Sequence, residues 1–239
     1  MIDVLTTIPF MFAGLVLPIM TVAWLDHKPD YFKNVLQKSF DFMVILAIPL
    51  VVGAQFLGRP IMIFAAGEDF AQSGQILQTL IFAVAAIFLG TMFSHAVIAL
   101  DKQKKMISFY AFASFSSLVA YLFLIPRFSY FGAAAVTIYS ETIIAIFSAY
   151  CVYKYSRFLP DLKIILKAGL SALIMGTFLY FFSGEYQDTL VQLLSVMTVA
   201  SLIYFFCLFL CGGISKIDLI NIIKRPADGG ETVYSEPKL

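Results

Sequence analysis

A single carboxylate lies inside a long hydrophobic stretch. Glu141 is near the middle of residues 132–153, where its neighbours are small, apolar or hydroxyl-bearing. An ionised carboxylate is costly in hydrocarbon, so Glu141 is expected to face the interior of a helix bundle or a watery cavity. We therefore take it as a candidate for a cavity residue, or for a group that couples transport to a proton or a cation. A structural carboxyl that is hydrogen-bonded to a hydroxyl of a neighbouring helix is the alternative.

Four other polar side chains lie in or beside hydrophobic segments and are candidate substrate contacts. Histidine titrates near neutral pH, which suits His95 to a proton relay, but a hydrogen-bonded helix residue has the same pattern. Gln55 either bonds a neighbouring helix or contacts a ligand. Arg59 and Arg127 offer a bidentate fork to a phosphate or an anionic sugar. Their alternative role is to extend to lipid headgroups.

The sequence has no pattern typical of a metal site or an enzyme. Its cysteines are Cys151, Cys207 and Cys211, all in apolar runs, and its two histidines are His27 and His95. These residues do not form a ligand set for zinc, and HExxH, GxSxG and Walker sequences are absent. We therefore expect a protein that is not an enzyme and holds neither metal nor cofactor. A net charge of +1 gives no reason to expect nucleic-acid binding.

Composition predicts an all-α, polytopic membrane protein. The chain is 61% hydrophobic and 13% charged, and its mean hydropathy is +0.90. Soluble domains are roughly half apolar and about a quarter charged. A soluble fold of 239 residues cannot hide this much apolar surface, whereas a bilayer makes the excess harmless.

Hydrophobic runs of bilayer length, separated by short polar breaks, predict about seven transmembrane helices. The break over residues 127–131 is so short that the fourth and fifth helices are expected to form an antiparallel hairpin. We assign residues 1–211 to a transmembrane bundle, and residues 212–239 to a cytoplasmic tail with a short amphipathic helix and a disordered end. The predicted spans are 4–25, 40–63, 75–100, 106–126, 132–153, 165–183 and 189–211.

Basic residues are concentrated at alternate breaks between these spans. Of the 16 Lys and Arg residues, 14 lie at the first, third and fifth breaks or in the tail, and the other two are Arg59 and Arg127. Because basic residues are enriched on the cytoplasmic side of membrane proteins, the pattern predicts an outer N-terminus and a cytoplasmic C-terminus. That orientation requires an odd number of crossings, in agreement with seven.

Two amphipathic segments flank the spans on the side predicted to be cytoplasmic. Residues 29–38 place Tyr31 and Phe32 on one side, and isoleucines recur every third residue over 217–223. Both segments are predicted to be helices that lie along the membrane surface.

Four segments, in chain order, resemble the C-terminal half of bacterial polysaccharide (O-antigen-type) flippases, which belong to the multidrug/oligosaccharidyl-lipid/polysaccharide exporter superfamily. The most specific is LIPRFSYFGAAA over 124–135, followed by Glu141, which resembles the family's hairpin. The resemblance covers roughly residues 5–155, and topology alone extends it to 211. The other three segments are IPF to LPIM over 8–20, AIPL over 47–50 leading to IFAAGEDF over 63–70, and ALDKQK over 99–104.

The resemblance implies that these spans are the eighth to the fourteenth helices of a fourteen-helix transporter. Such a flippase moves a lipid-linked oligosaccharide across the bacterial cytoplasmic (inner) membrane by alternating access of two lobes. The chain would hold one incomplete lobe and two extra helices, so we expect a fragment, or a product that needs the missing N-terminal lobe or a second protein that supplies it. The expected partners are the lipid-linked substrate, membrane lipid and proteins of polysaccharide polymerisation and assembly.

Three other functions are open at this point. A multidrug or cation antiporter of the same superfamily has the same fold. A membrane enzyme of polysaccharide assembly, such as a polymerase or an acyltransferase, is expected to carry a large outer loop with His, Arg or Asp, and the longest outer break here has about a dozen residues and no His. A scaffold that does not transport is the third.

Overall fold

The computed structural model of this chain describes residues 2–182 and 190–213, and within these residues every regular element is helical. The prediction of an all-α chain is confirmed for them. A 3-10 turn, Glu68–Phe70, follows the second helix. The six α-helices of the described residues are α1 (Ile2–Leu25), α2 (Pro29–Ala66), α3 (Ser73–Ala99), α4 (Gln103–Ser156), α5 (Lys163–Phe182) and α6 (Leu190–Leu210).

These helices are long and apolar enough to cross a membrane. The shortest, α5, has 20 residues, and about 20 residues of helix span the hydrocarbon core of a bilayer. The most apolar stretch of each helix has a mean hydropathy between 1.7 and 2.4. By length and composition, the six helices of the described residues could therefore each cross a membrane.

Helix α4 is a hairpin of two helical halves. Its 54 residues would extend about 81 Å if the helix were straight, but the backbone leaves the helical region at Ser129, where φ is 51° and ψ is −129°. The two halves, 103–128 and 130–156, lie side by side. A hydrogen bond between them shows this, in which the hydroxyl of Tyr139 donates to Ser116 Oγ over 3.2 Å. Two helices in a hairpin, separated by a break over residues 127–131, were predicted for this stretch. The structure has the two helical halves, but only Ser129 leaves the helical conformation between them.

A glycine allows the two halves of α4 to approach each other. Gly132 is buried three residues beyond the break, and a Cβ atom at this position would collide with the carbonyl oxygen of Leu124. Any larger residue would therefore push the halves apart at the tip of the hairpin.

Helix α2 differs from the prediction for residues 29–38. Pro29 begins the helix, where the missing N–H costs nothing, and the helix then continues without a break to Ala66. Phe32 and Leu36 are fully buried in the bundle. Residues 29–38 are therefore the first turns of a 38-residue helix rather than a separate surface helix. Gly67, with φ 99°, ends it by donating its N–H to the carbonyl of Ile63.

Helices α2 and α3 form the centre of the bundle. Helix α3 packs against α1, α2 and α4, while α5 packs against α2 and α6. Half of the most apolar stretch of α3 is buried, at 50%, against 11% for α4, so α4 lies at the periphery. At the crossing of α2 and α3, a Cβ atom on Gly74 would lie 2.6 Å from the Cα atom of Arg59, which shows that the two backbones are in direct contact.

The linker between α4 and α5 is attached to the start of α2. Gln37 Oε1 accepts the backbone N–H of Asp161 over 2.9 Å. The carboxylate of Asp161 in turn accepts the backbone N–H of Lys163 and its ammonium group, each over 3.0 Å. These bonds to Lys163 lower the pKa of Asp161 and fix the start of α5.

The predicted tail begins at the edge of the described residues. The amphipathic helix predicted over 216–224 and the disorder predicted beyond 225 lie outside them. The division into a bundle over 1–211 and a tail over 212–239 stays a prediction.

Candidate functional site

An open cleft of about 730 Å³ lies along the α4 hairpin. Half of its ten lining residues carry a hydroxyl group and half are apolar. Its lining contains two aromatic rings with hydroxyls, from Tyr110 and Tyr121, and no charged side chain. The hydroxyl-bearing residues are Tyr110, Ser114, Ser117, Tyr121 and Ser140, and we call this cavity the hydroxyl cleft.

Helical spacing explains why these side chains meet. Tyr110, Ser114, Ser117 and Tyr121 are separated by four, three and four residues, so they lie on one face of the first half of α4. The hairpin then brings Ser140 of the second half to the same cleft. None of these residues was predicted as a site residue from the sequence, although four of them are hydroxyl-bearing residues at helical spacing.

Hydrogen bonds within the hairpin leave acceptor atoms available in the cleft. The hydroxyl of Thr137 donates to the carbonyl of Ala133 over 3.0 Å. Its contact with Tyr121, at 3.2 Å, therefore has the tyrosine as donor, because a hydroxyl has one hydrogen. Ser140 likewise donates to the carbonyl of Thr137 over 3.0 Å. The oxygens of Tyr121 and Ser140 consequently keep lone pairs that can accept from a ligand.

Ser117 has an unsatisfied hydroxyl in the cleft. Its side chain is 7% exposed, and its Oγ has no hydrogen-bond partner among the described residues. A buried hydroxyl without a partner costs roughly 1–3 kcal/mol, so the side chains of a well-packed protein normally avoid this state. Because Ser117 lines the cleft, a ligand in the cleft would supply the missing partner.

Glu141 lies next to the cleft but not in its lining. Ser140 and Ile144 line the cleft, whereas Glu141 lies one helical turn before Ala145, which contacts Gly90 of α3. The carboxylate of Glu141 is half-buried and accepts no hydrogen bond from any side chain that the structure describes. It is therefore positioned between the cleft and the centre of the bundle, and the hydroxyl bond of the structural alternative is not observed.

His95 lies in α3, next to a residue that contacts the second half of α4. Its Nδ1 donates to the carbonyl of Thr91 over 2.8 Å, since a carbonyl can only accept. The adjacent Ser94 Oγ is 3.1 Å from Ser148 Oγ, which joins the two helices. His95 is half-buried there and does not line the hydroxyl cleft.

Gln55 joins α2 to α3 through a reciprocal pair of hydrogen bonds. Its Nε2 donates to the backbone carbonyl of Gln78 over 2.8 Å, and Gln78 Nε2 donates to the carbonyl of Gln55 over 2.7 Å. Both amide groups are therefore used between helices. This geometry is the inter-helix bond that the sequence had offered as one of two roles for Gln55.

Arg59 and Arg127 lie at the same end of the bundle but in different surroundings. Arg59 borders a groove of about 260 Å³ that is otherwise lined by Ala71 and three glutamines. Arg127 is exposed beside the break in α4. Neither arginine lines the hydroxyl cleft, and neither forms an ion pair with a carboxylate of residues 2–182 or 190–213.

The opposite end of the bundle carries most of the positive charge. Contacts between Lys102 and Tyr155, and between Lys167 and Gly212, show that the turns before and after α4 and the last turn of α6 lie at this end. The basic residues that occur at alternate breaks along the sequence thus gather at one end of the bundle. The Lys and Arg residues of the described chain at this end are Lys28, Lys33, Lys38, Lys102, Lys104, Lys105, Lys154, Arg157, Lys163 and Lys167.

The described residues thus form a helical bundle whose helices are long and apolar enough to cross a membrane, with a hydroxyl-lined cavity. No protein-family model matches the chain. Among curated proteins it is similar to the capsular polysaccharide biosynthesis protein CapF of Staphylococcus aureus, with 26% identity over 138 residues. The match covers 58% of this chain and 35% of the relative, so the chain spans well under two thirds of the relative's length.

Proposed function

We propose that this chain is part of a membrane transporter that moves a lipid-linked oligosaccharide across the bacterial cytoplasmic membrane during polysaccharide biosynthesis. Relation to a capsular polysaccharide biosynthesis protein supports the biological context. The hydroxyl cleft is the observation that carries the proposal, because its chemistry suits the sugar part of such a substrate.

The cleft combines two features that sugars use. Tyrosine rings such as those of Tyr110 and Tyr121 offer flat surfaces to the C–H faces of a sugar and a polar tip to its hydroxyls. Acceptor lone pairs on Tyr121 and Ser140, together with the unpartnered Ser117, suit a ligand that has many hydroxyl groups. A cationic drug would instead favour a carboxylate in the lining, and the lining has no charge. The cleft therefore supports an oligosaccharide over a cationic drug as substrate.

The transporter would cross the membrane seven times, with the N-terminus outside. The two halves of α4 count as separate crossings in this arrangement, since each has about 26 residues and the two lie side by side. The lysine-rich end is then cytoplasmic, in agreement with the general enrichment of basic residues on that side. Arg59 and Arg127 would contact phosphate or anionic sugar groups at the outer surface.

The proposed transporter needs a second lobe, either from the same protein or from a partner. Alternating access requires a second lobe that moves against this one, and the match to a third of a longer relative is compatible with such a lobe. The described residues that line the hydroxyl cleft all belong to the peripheral helix α4, and the cleft is open. A second lobe on its open side would close the cleft around the sugar.

Deletion of the gene in its own bacterial host, followed by complementation with variants, tests the proposed function. We expect deletion of the gene to abolish or strongly reduce surface polysaccharide and to accumulate the lipid-linked precursor in the inner leaflet. The unaltered gene should restore export, while Ser117→Ala should lower it by about tenfold because the sugar loses a hydrogen-bond partner in a dry site. Surface polysaccharide and the leaflet of the precursor are measured together.

A matched serine and the rival functions give the controls. Ser171 is as buried as Ser117, but its hydroxyl already donates to the carbonyl of Lys167, so Ser171→Ala should leave export unchanged at equal protein levels. Accumulation of precursor in the outer leaflet of the deletion strain would indicate a polymerase instead, and a change in the acyl content of the polysaccharide would indicate an acyltransferase. Raised sensitivity to cationic drugs with normal polysaccharide would indicate a drug antiporter. If both polysaccharide and drug sensitivity were normal, a scaffold that does not transport would be the function that remains.

A further inference from the structure

A cluster of cations at the lysine-rich end surrounds one aromatic ring. The ammonium nitrogen of Lys102 lies 5.4 Å from the centre of the Tyr155 ring, and that of Lys105 lies 5.2 Å from the same centre. Lys102 immediately precedes α4 and Lys105 is in its first turn, whereas Tyr155 is in its last turn. The two contacts therefore bring the start and the end of the α4 hairpin together at the lysine-rich end.

A third lysine shares this position. Lys154 lies in the last turn of α4 and directly precedes Tyr155, so its charge adds to those of Lys102 and Lys105. We call Lys102, Lys105, Lys154 and Tyr155 the basic patch. Next to it, the guanidinium of Arg157 lies 5.8 Å from the centre of the Tyr153 ring, so further positive charge borders the patch.

The basic patch forms no ion pair within the described part of the chain, although Asp101 directly precedes Lys102 and accepts from Gln103 Nε2 over 3.1 Å. No carboxylate of residues 2–182 or 190–213 lies within ion-pair distance of its three lysines. Lys28 and Lys163, at the same end, do have partners, because Lys28 lies 3.1 Å from Asp26 and Lys163 lies 3.0 Å from Asp161. Like charges that share a small region repel each other, so an anion bound between the three ammonium groups would be stabilised by all of them.

We propose that the basic patch binds the phosphate group of an anionic lipid headgroup at the membrane surface. The patch lies at the ends of α3 and α4, where helices leave the hydrocarbon and lysines meet headgroups. Tyr155 fits the same depth, since its ring is apolar and its hydroxyl reaches the interface. This inference rests on the membrane location of the helices and not on the transported substrate, so it survives if the chain has another activity.

The experiment measures ligand-induced stabilisation of the purified full chain in a neutral detergent. Phosphatidylglycerol should raise the unfolding temperature, while zwitterionic phosphatidylcholine should not. In the triple variant Lys102→Gln/Lys105→Gln/Lys154→Gln, the apparent Kd for phosphatidylglycerol should rise by at least about tenfold. A parallel titration with inorganic diphosphate distinguishes the source of the phosphate. Binding of the lipid alone assigns the site to headgroups, and binding of both shows that the phosphate group is sufficient.

A charge-matched variant separates this site from a general charge effect. Lys28→Gln/Lys33→Gln/Lys163→Gln removes the same charge from the same end of the bundle and should change the apparent Kd by less than about twofold. If the patch triple does not fold, Tyr155→Leu and Tyr155→Phe replace it, because only the leucine removes the ring that holds the lysines. Equal weakening in the two triples, or in the two tyrosine variants, overturns the proposal, as does equal stabilisation by the two lipids.

Discussion

At the scale of single residues, the polar groups of this chain fall into two kinds. Gln55 and Ser94 form hydrogen bonds between helices, which is a common use of polar side chains in a membrane bundle. Ser117, which lines the hydroxyl cleft, and Glu141, which lies beside it, have no such partner in the described residues. Groups left unpaired in an apolar setting are costly, so these two residues are the ones to test first for a role in the proposed function.

Glu141→Gln tests coupling at the carboxylate itself. Glutamine keeps the shape of the side chain and removes its charge. If Glu141 binds and releases a coupling proton, the variant should transport at least about tenfold more slowly and lose the dependence of the rate on pH. The rate of oligosaccharide translocation is measured in membrane vesicles over a range of pH.

Glu68→Gln is the control for this experiment. Glu68 is exposed in the 3-10 turn at the opposite end from the lysines, so its loss should leave both rate and pH profile unchanged. An unaltered pH profile in Glu141→Gln would exclude the coupling role and favour a structural carboxyl.

At the scale of elements, the α4 hairpin makes the cleft. Tyr110 and Ser140 come from different halves of the helix, so the cleft exists only if the chain reverses at Ser129. The reversal is maintained by the hydrogen bonds from Tyr139 to Ser116 and from Tyr121 to Thr137, and by the approach of Gly132 to the backbone at Leu124. Helix packing thus determines the geometry of the candidate site.

Gly132→Ala should destabilise the hairpin. The added methyl group would meet the carbonyl of Leu124, and overpacking of this kind costs about 1–3 kcal/mol. Gly169→Ala is the matched control, because nothing lies within 4 Å of a Cβ atom at Gly169 in α5. Unfolding of the two variants in detergent is followed by circular dichroism. Equal stability of the two would contradict the close approach of the two halves.

At the scale of the whole molecule, charge distinguishes the two ends of the bundle. Contacts bring the turns around α4 and the end of α6 together at the lysine-rich end. The other end carries Arg59 and Arg127. Insertion with the lysine-rich end in the cytoplasm follows the positive-inside rule and places Arg127 outside.

Labelling of single cysteines tests this orientation. In a background where Cys151, Cys207 and Cys211 are replaced by alanine, Arg127→Cys should react with a membrane-impermeant maleimide in intact cells. Lys104→Cys should react only after the membrane is permeabilised. Both side chains are exposed in the structure, so access to solvent does not differ between them. The reverse pattern of labelling would show the opposite orientation.

The sequence by itself determined the class of the fold. A composition of 61% hydrophobic residues, in runs of bilayer length, leaves few structures besides membrane helices, and the described residues are helical as expected. The alternation of basic residues also predicted that they gather at one end. The helical fold class and the position of the basic residues depend only on the order of apolar and charged residues along the chain, so they can be predicted from the sequence alone.

Only the tertiary structure decided which polar residues meet. Glu141 stood out in the sequence because it is charged, yet the cleft beside it is lined by neutral hydroxyls. From the sequence, Gln55 could equally contact a ligand or bond a neighbouring helix. Its hydrogen-bond partner, Gln78, is evident only once α2 and α3 are packed together. Contacts between helices depend on the angle and register of packing, which are set by small residues such as Gly74 and Gly132 and cannot be read from hydrophobic periodicity.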